Sequence, residues 1–406
     1  MTEPARERSA SGRRFEPLPE WVGVGTRLQH GTRRPEWNAG AVVPPIYQTS
    51  TYHFPAELSE GREHGDVHLY SRYSNPTLED AAELLRGLEG GEAAALFASG
   101  MGATSTALWT LLRPGDRVVA LESLYGGTAE LLKRLVGPWG VRVDWVDDRA
   151  AADPARAVAA GTRLVLIESP TNPCLHVHDI AAWAEAAHAQ GAALFVDSTF
   201  ATPINQQPLR LGADLVMHSA TKYLGGHSDL VAGALVGSRA LLDRVAASHA
   251  VLGAALDPFG AFLLTRGLRT LGVRVLRQNE TASGLADWLG SHPKVGRVNY
   301  PGAFDAREEA IARRQMRGRG GVLSFSVTGG PTAARRVMAG LRFVHPASSL
   351  GGVESLVSLP VETSHVHATP DLLQRCGIDG SLVRLSVGLE DPADLQRDLD
   401  EALRDA

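Results

Sequence analysis

The stretch Ala213-Asp-Leu-Val-Met-His-Ser-Ala-Thr-Lys222-Tyr-Leu-Gly-Gly-His-Ser-Asp229 decides how this chain is read. Its apolar run, Leu215 to Met217, has the character of a buried strand. The run stops at a small, hydroxyl-rich turn, Ser219-Ala220-Thr221, that delivers one lysine, and Gly225-Gly226 let the backbone turn away. Lysine is scarce: among 40 Lys and Arg residues only Lys133, Lys222 and Lys294 are lysines. Lys133 falls in Ala129–Val136, an amphipathic pattern that points it to solvent, and Lys294 falls in the polar turn Ser291-His-Pro-Lys294. Only Lys222 sits beside two hydroxyls at a strand end. An amine desolvated enough there to lose its proton suits covalent capture of an aldehyde cofactor, and the hydroxyls suit a phosphate. The ordinary alternative is a lysine on an exposed loop.

Working outward, the chain alternates. Strand candidates are Ala93–Ala98, Arg117–Leu121, Val141–Trp145, Arg163–Ile167, Ala193–Val196, Leu215–Met217 and Gly233–Val236, several of them separated by helical stretches. Strands rich in Val, Leu and Ile with helical crossovers predict an α/β fold with a mainly parallel sheet covered on both faces. Polar residues fall just beyond the strands' C-terminal ends: Glu168, Asn172, Asp197, Ser219 and Lys222. Open α/β sheets bind ligands there. Upstream, Asn75 and Pro76 read as the N-cap and first position of a helix through Arg86. Ser99-Gly100-Met101-Gly102 is a glycine turn between a strand and a helix running to Leu112, a pattern that makes an anion site.

Residues 1–20, rich in Arg, Glu, Ser and Pro, read as a tail. Residues 21–74 lack periodicity and read as an arm that packs on a neighbouring subunit. Residues 75–265 form the expected cofactor-binding domain. Residues 266–406 begin with a long helix pattern through Leu289, then show the strands Gly321–Val327 and Leu382–Ser386, and read as a smaller α/β domain.

Five further residues have site-like contexts. Asp197 ends the strand Leu194-Phe-Val-Asp197, where its carboxylate can face a pyridinium nitrogen; the alternative is a turn aspartate. Tyr125, beside Gly126-Gly127, can stack on a flat ring or cap the core edge. Arg384 alternates with apolar residues along a strand, and can hold either a substrate carboxylate or an internal partner. Tyr70 and Arg72 end the arm; they can clamp a phosphate in a neighbouring subunit or belong to a solvated turn.

A net charge of −5 gives no case for nucleic acid, no apolar stretch spans a bilayer, and the N-terminus lacks the apolar core of a signal peptide. Two cysteines, Cys174 and Cys376, make neither a disulfide framework nor a metal cluster. A cytoplasmic enzyme without a metal is the expectation.

These residues, taken together, resemble the cystathionine γ-synthase/γ-lyase family of pyridoxal-phosphate enzymes of Cys and Met metabolism, including methionine γ-lyase. The matching stretches run in order: Ala41–Ile46, Tyr70-Ser-Arg72, Ser74–Thr77, Ala98–Gly102, Leu124–Thr128, Glu168–Pro173, Val196-Asp197, Ser219–Tyr223, Gly226–Asp229, Ser349–Ser355 and Arg384–Asp391. The resemblance implies fold type I, with a seven-stranded, mainly parallel sheet in the large domain, and a homotetramer built as a dimer of dimers with shared active sites. It implies that Lys222 carries pyridoxal 5'-phosphate and shuttles protons, Asp197 faces the ring nitrogen, and Tyr125 stacks on the ring and assists at the leaving group. Gly100, Met101, Ser219 and Thr221, with Tyr70 and Arg72 of a neighbouring subunit, are implied to hold the phosphate. Arg384, Asn172 and Ser349 are implied to hold the substrate carboxylate.

Three positions depart from the family's patterns. Ser348 stands where many members have glutamate, Gly127 where methionine-degrading members carry cysteine, and Glu130 where γ-lyases often have arginine. A neutral Ser348 suits a substrate without a distal ammonium group. The expected activity is a Cγ–S lyase or synthase acting on cystathionine, a related sulfur amino acid or a γ-substituted homoserine. Alternatives are γ-replacement with another nucleophile, a β-lyase, an aminotransferase or a catalytically retired scaffold.

Overall fold

The computed structural model describes residues 21–31, 41–53, 68–147, 150–366 and 368–406. The expected tail lies outside the described residues, and the arm is described only in part.

Seven strands build the larger sheet: β1 Ala93–Phe97, β2 Arg117–Leu121, β3 Arg142–Val146, β4 Thr162–Glu168, β5 Ala193–Asp197, β6 Leu215–His218 and β7 Gly233–Gly237. Their order is β1-β7-β6-β5-β4-β2-β3, and only β7 runs against its neighbours. Two apolar clusters cover the sheet. One holds Val119, Leu166, Phe195 and Trp183; the other holds Leu85, Ala234, Leu264 and Tyr223. Burial on both faces is why these strands read as continuous apolar runs.

Helices start where the chain supplies caps. The Asn75 side chain accepts from the Thr77 amide at 2.9 Å ahead of the helix Pro76–Glu89. Ser99 accepts from the Gly102 amide at 2.9 Å ahead of Gly100–Leu111. Each such cap is worth about 1 kcal/mol. The second cap sets where the site's glycine turn becomes a helix.

A smaller sheet follows: β8 Val295–Asn299, β9 Val322–Val327, β10 His345–Pro346, β11 Leu356–Ser358 and β12 Leu382–Ser386, in the order β10-β11-β12-β9-β8. β8, β10 and β11 carry no clean apolar alternation and escape a reading of the sequence. One face of this sheet (Leu323, Phe325, Val357, Val383, Leu385) packs on Leu285, Val337 and Leu399 of three helices. The other face is buried too and carries the polar residues Ser324, Ser358, Arg384 and Ser386 among Val322, Leu356 and Leu382. The helix Leu271–Gly290 serves both cores: Leu271 and Val275 join the large-sheet cluster, and Ala282, Leu285 and Leu289 the small-sheet cluster. No helix among the described residues is long and apolar enough to cross a membrane.

Candidate active site

The C-terminal edge of the parallel strands and the polar face of the small sheet enclose a cavity of about 540 Å3, of a size suited to a cofactor with its substrate. Gly100, Met101, Tyr125, Asn172, Asp197, Ser219, Thr221, Lys222, Ser348, Ser349 and Arg384 all line it. Tyr70 and Arg72 do not. Tyr70 pairs with Thr51 in an isolated bridge, and the Arg72 guanidinium donates to the Ala250 carbonyl and lies 4.7 Å from the Tyr73 ring centroid.

Lys222 follows β6 through the turn Ser219-Ala-Thr221, and its amide donates to the Ser219 carbonyl at 3.0 Å. Its Nζ donates to Ser349 Oγ at 2.8 Å. Burial, with the nearby charge of Arg384, pulls the ammonium down to about 8. The other two lysines keep the expected solvent and turn settings: Lys133 is exposed over Trp145, and Lys294 donates to the chain end at Ala406.

Asp197 closes β5, and one of its oxygens accepts from the Thr199 amide at 3.0 Å and the Thr199 hydroxyl at 2.6 Å. Burial raises this carboxyl, against the Thr199 bonds and the nearby His218. Thr199 in turn accepts from the Ser219 amide at 2.9 Å, tying the aspartate to the lysine turn. Nothing in the sequence beyond its place two residues after Asp197 distinguishes Thr199. His218, the last residue of β6, pairs with Glu89 at 2.5 Å in full burial.

The helix Gly100–Leu111 opens into the cavity beside Ser219. A Cβ on Gly100 would lie 3.1 Å from Ser219 Oγ, so the absent side chain is what lets the two segments close. The helix start stands beside Ser219, and Ser219 and Thr221 line the same cavity; a helix start among hydroxyls suits an anion. Tyr125 precedes the helix Gly126–Leu131; its amide donates to Glu168 Oε2 at 2.7 Å and its side chain is 44 % exposed. A Cβ on Gly127 would stand 2.6 Å from the Tyr125 ring and 3.1 Å from Met101 Sδ. The glycine leaves that ring its present position.

Arg384 sits mid-strand on β12 and is buried. Nη1 donates to Asn172 Oδ1 at 2.9 Å and Nη2 to the Ser349 carbonyl at 3.0 Å, while Nε is buried without a partner. Desolvation pulls the group down to about 10, which leaves it charged at neutral pH. Ser349 has φ of 101°, the left-handed region that non-glycine residues avoid. That backbone sends its hydroxyl to Lys222 and its carbonyl to Arg384. Thr363 and Ser364 also line the cavity. They come from an irregular segment, where the sequence carries no signal for them.

These groups fit pyridoxal phosphate: an amine depressed toward neutrality, a buried carboxylate facing the cavity, a helix start among hydroxyls and an aromatic ring at the mouth. Fold and site together define an enzyme that uses this cofactor. The sequence profile described as "Cys/Met metabolism PLP-dependent enzyme" matches residues 25–404, and the chain belongs to that family. It is 44 % identical over 389 residues to an L-methionine gamma-lyase of Pseudomonas putida, covering 94 % of this chain and 97 % of the relative. It is also 44 % identical over 382 residues to a cystathionine gamma-synthase of Mycobacterium bovis, covering 94 % and 97 %. The crystal structure of metB from Corynebacterium glutamicum superposes with a TM-score of 0.89 at 36 % identity, covering 96 % of this chain and all of that one.

Proposed function

We propose that this chain works on a sulfur amino acid or a γ-substituted homoserine by γ-elimination or γ-replacement, with the residues lining the cavity dividing the work. The observation that carries the reading is the junction at Ser349, which joins a proton-accepting lysine to a charge-bearing arginine through one residue. Bound pyridoxal phosphate supplies the electron sink. The chain's own groups do the rest. Arg384 and Asn172 hold the α-carboxylate, and Ser349 sets Arg384 against Lys222. Lys222 Nζ accepts the proton from Cα and returns protons as the reaction closes. Tyr125 would stack on the ring and serve the leaving sulfur. Gly100, Met101, Ser219 and Thr221 would hold the phosphate, and Asp197 would pair with the ring nitrogen. In elimination the Cγ–S bond breaks, and with one water the products are a thiol, a 2-oxo acid and ammonia. In replacement a nucleophile takes the Cγ position.

The same reading assigns residues 75–265 and 266–406 to two domains, with 21–74 as an arm on a neighbouring subunit of a cytoplasmic homotetramer, a dimer of dimers. The arm's exposed Trp21 and Val42, and the position of Tyr70 and Arg72 outside their own chain's cavity, support it. A solution mass of four chains by light scattering is the expected result.

Holoenzyme incubated with L-cystathionine, and separately with L-methionine, tests the chemistry by the mass of the keto acid released. 2-Oxobutyrate establishes γ-elimination. Pyruvate from cystathionine shows β-elimination and overturns it. Conversion of the cofactor to its amine form, with no keto acid derived from loss of sulfur, marks an aminotransferase. Ser348 is neutral and lines the cavity together with the hydroxyl residues Thr363 and Ser364. Ser348→Glu therefore shifts the kcat/KM ratio toward cystathionine over methionine by about tenfold, the worth of one charged hydrogen bond. An unchanged ratio removes Ser348 from substrate choice.

A further inference from the structure

The register of the small sheet sets four polar residues in a line across its buried polar face. Ser358 on β11 stands opposite Arg384 on β12, Arg384 opposite Ser324 on β9, and Ser324 opposite Asn299 on β8. Directly opposed residues point to the same side of a sheet. All four are buried, at 3 %, 5 %, 0 % and 0 % exposure. Burying such groups costs free energy unless they are hydrogen-bonded.

On one side of Arg384 the bonds close a ring. Asn299 Nδ2 donates to Ser324 Oγ at 2.9 Å, and Ser324 Oγ donates to the Pro173 carbonyl at 2.8 Å. Pro173 follows Asn172, whose Oδ1 accepts from Arg384 Nη1 at 2.9 Å. The strand neighbour of Arg384 thus anchors the segment that Arg384 itself grips. On the other side, Arg384 Nε is a donor without a partner, and Ser358 Oγ, directly across, is an oxygen without one. The register places this donor and this oxygen on facing residues of neighbouring strands, and a carboxylate arriving at the Nη groups can pull the guanidinium into a new set of bonds. Apolar residues fill the opposite face of the same strands, so packing alone does not call for these hydroxyls.

We propose that Ser324 and Ser358 are positioning residues for the substrate's α-carboxylate, Ser324 acting through Asn172 and Ser358 through Arg384. This rests on the reading of Arg384 and Asn172 as the carboxylate clamp.

The test is a titration of the holoenzyme, followed by the absorbance of its bound cofactor, with two amines. L-Norleucine carries the carboxylate but no leaving group; n-pentylamine is the same chain without the carboxylate. Ser324→Ala is expected to weaken norleucine binding by about five- to tenfold, and Ser358→Ala by about threefold, the range of single hydrogen bonds. Pentylamine binding stays within about twofold for both, on the same scale. Ser324→Thr and Ser358→Thr, which keep the hydroxyl, restore norleucine binding. Equal weakening of both amines shows general loosening and overturns the proposal, as does no change in either. If Ser324→Ala fails to hold the cofactor, Ser358→Ala decides by the same ratio. A wild-type enzyme with no preference for norleucine overturns the clamp assignment itself, and is told apart because it appears without any substitution.

Discussion

Lys222, half-buried, and Arg384, buried, are both basic groups of one cavity, and they reach it by different routes. Lys222 hangs from a turn at a strand end, its nitrogen held by a single hydroxyl. Arg384 projects from the middle of a strand, with cross-strand neighbours on both sides and two of its nitrogens bonded. Burial depresses both, to about 8 and about 10. The consequence differs. An amine near 8 has a usable neutral fraction at neutral pH, whereas a guanidinium near 10 remains a cation. The large sheet's edge presents a group that can exchange protons and change partners; the small sheet's face presents a fixed charge. On the proposed function, chemistry would belong to the first and recognition to the second.

The sharpest way to break this contrast is to remove each cation. Lys222→Ala is expected to lower kcat by about a thousandfold, within the range for a lost proton-transfer group. Borohydride should then no longer fix the cofactor to the chain, read by intact mass. Arg384→Lys keeps the charge but loses the planar fork. Its effect should fall on KM, raised by about a hundredfold for the loss of two charge-assisted bonds, with kcat within a few-fold in steady-state kinetics. A collapse of kcat instead would place Arg384 in the chemistry and erase the distinction. The smallest effect tests the coupling between the two. In the cofactor-free chain, labelling of Lys222 by an amine-reactive reagent should rise with pH through about 8. Protonated amine is unreactive, and the positive charge of Arg384 disfavours protonation. Arg384→Leu should therefore move the midpoint upward, followed by peptide mass; an unmoved midpoint would leave burial as the sole cause.

The same contrast explains what could be read from the chain. Residues at strand ends announce themselves, because a run such as Leu215–Met217 must stop, and the residues that end it are small, polar or glycine. Ser219, Thr221, Lys222 and Asp197 were legible for that reason, and Gly100 from the turn after β1. The ends of the large sheet's strands were legible to within one residue. The small sheet was harder. β8 is an edge strand with Gly296 and Arg297 exposed, and β11 is only three residues long with Ser358 turned to the polar side. Thr199, Thr363 and Ser364 lie in irregular segments with no apolar periodicity, so no local pattern marks them.

By itself the sequence determined that a single lysine would stand at a strand end among hydroxyls, with a carboxylate on one strand and an arginine on another, in an α/β frame. Those are consequences of local pattern: apolar runs that bury themselves, caps that start helices, glycines that free a turn. Only the tertiary structure decided that Lys222 and Arg384 meet at Ser349, that Ser349 takes a left-handed backbone to join them, and that a row of buried hydroxyls backs the arginine. Those distances depend on how two sheets dock across more than a hundred residues of chain. Local pattern carries no record of such docking; packing and register set it.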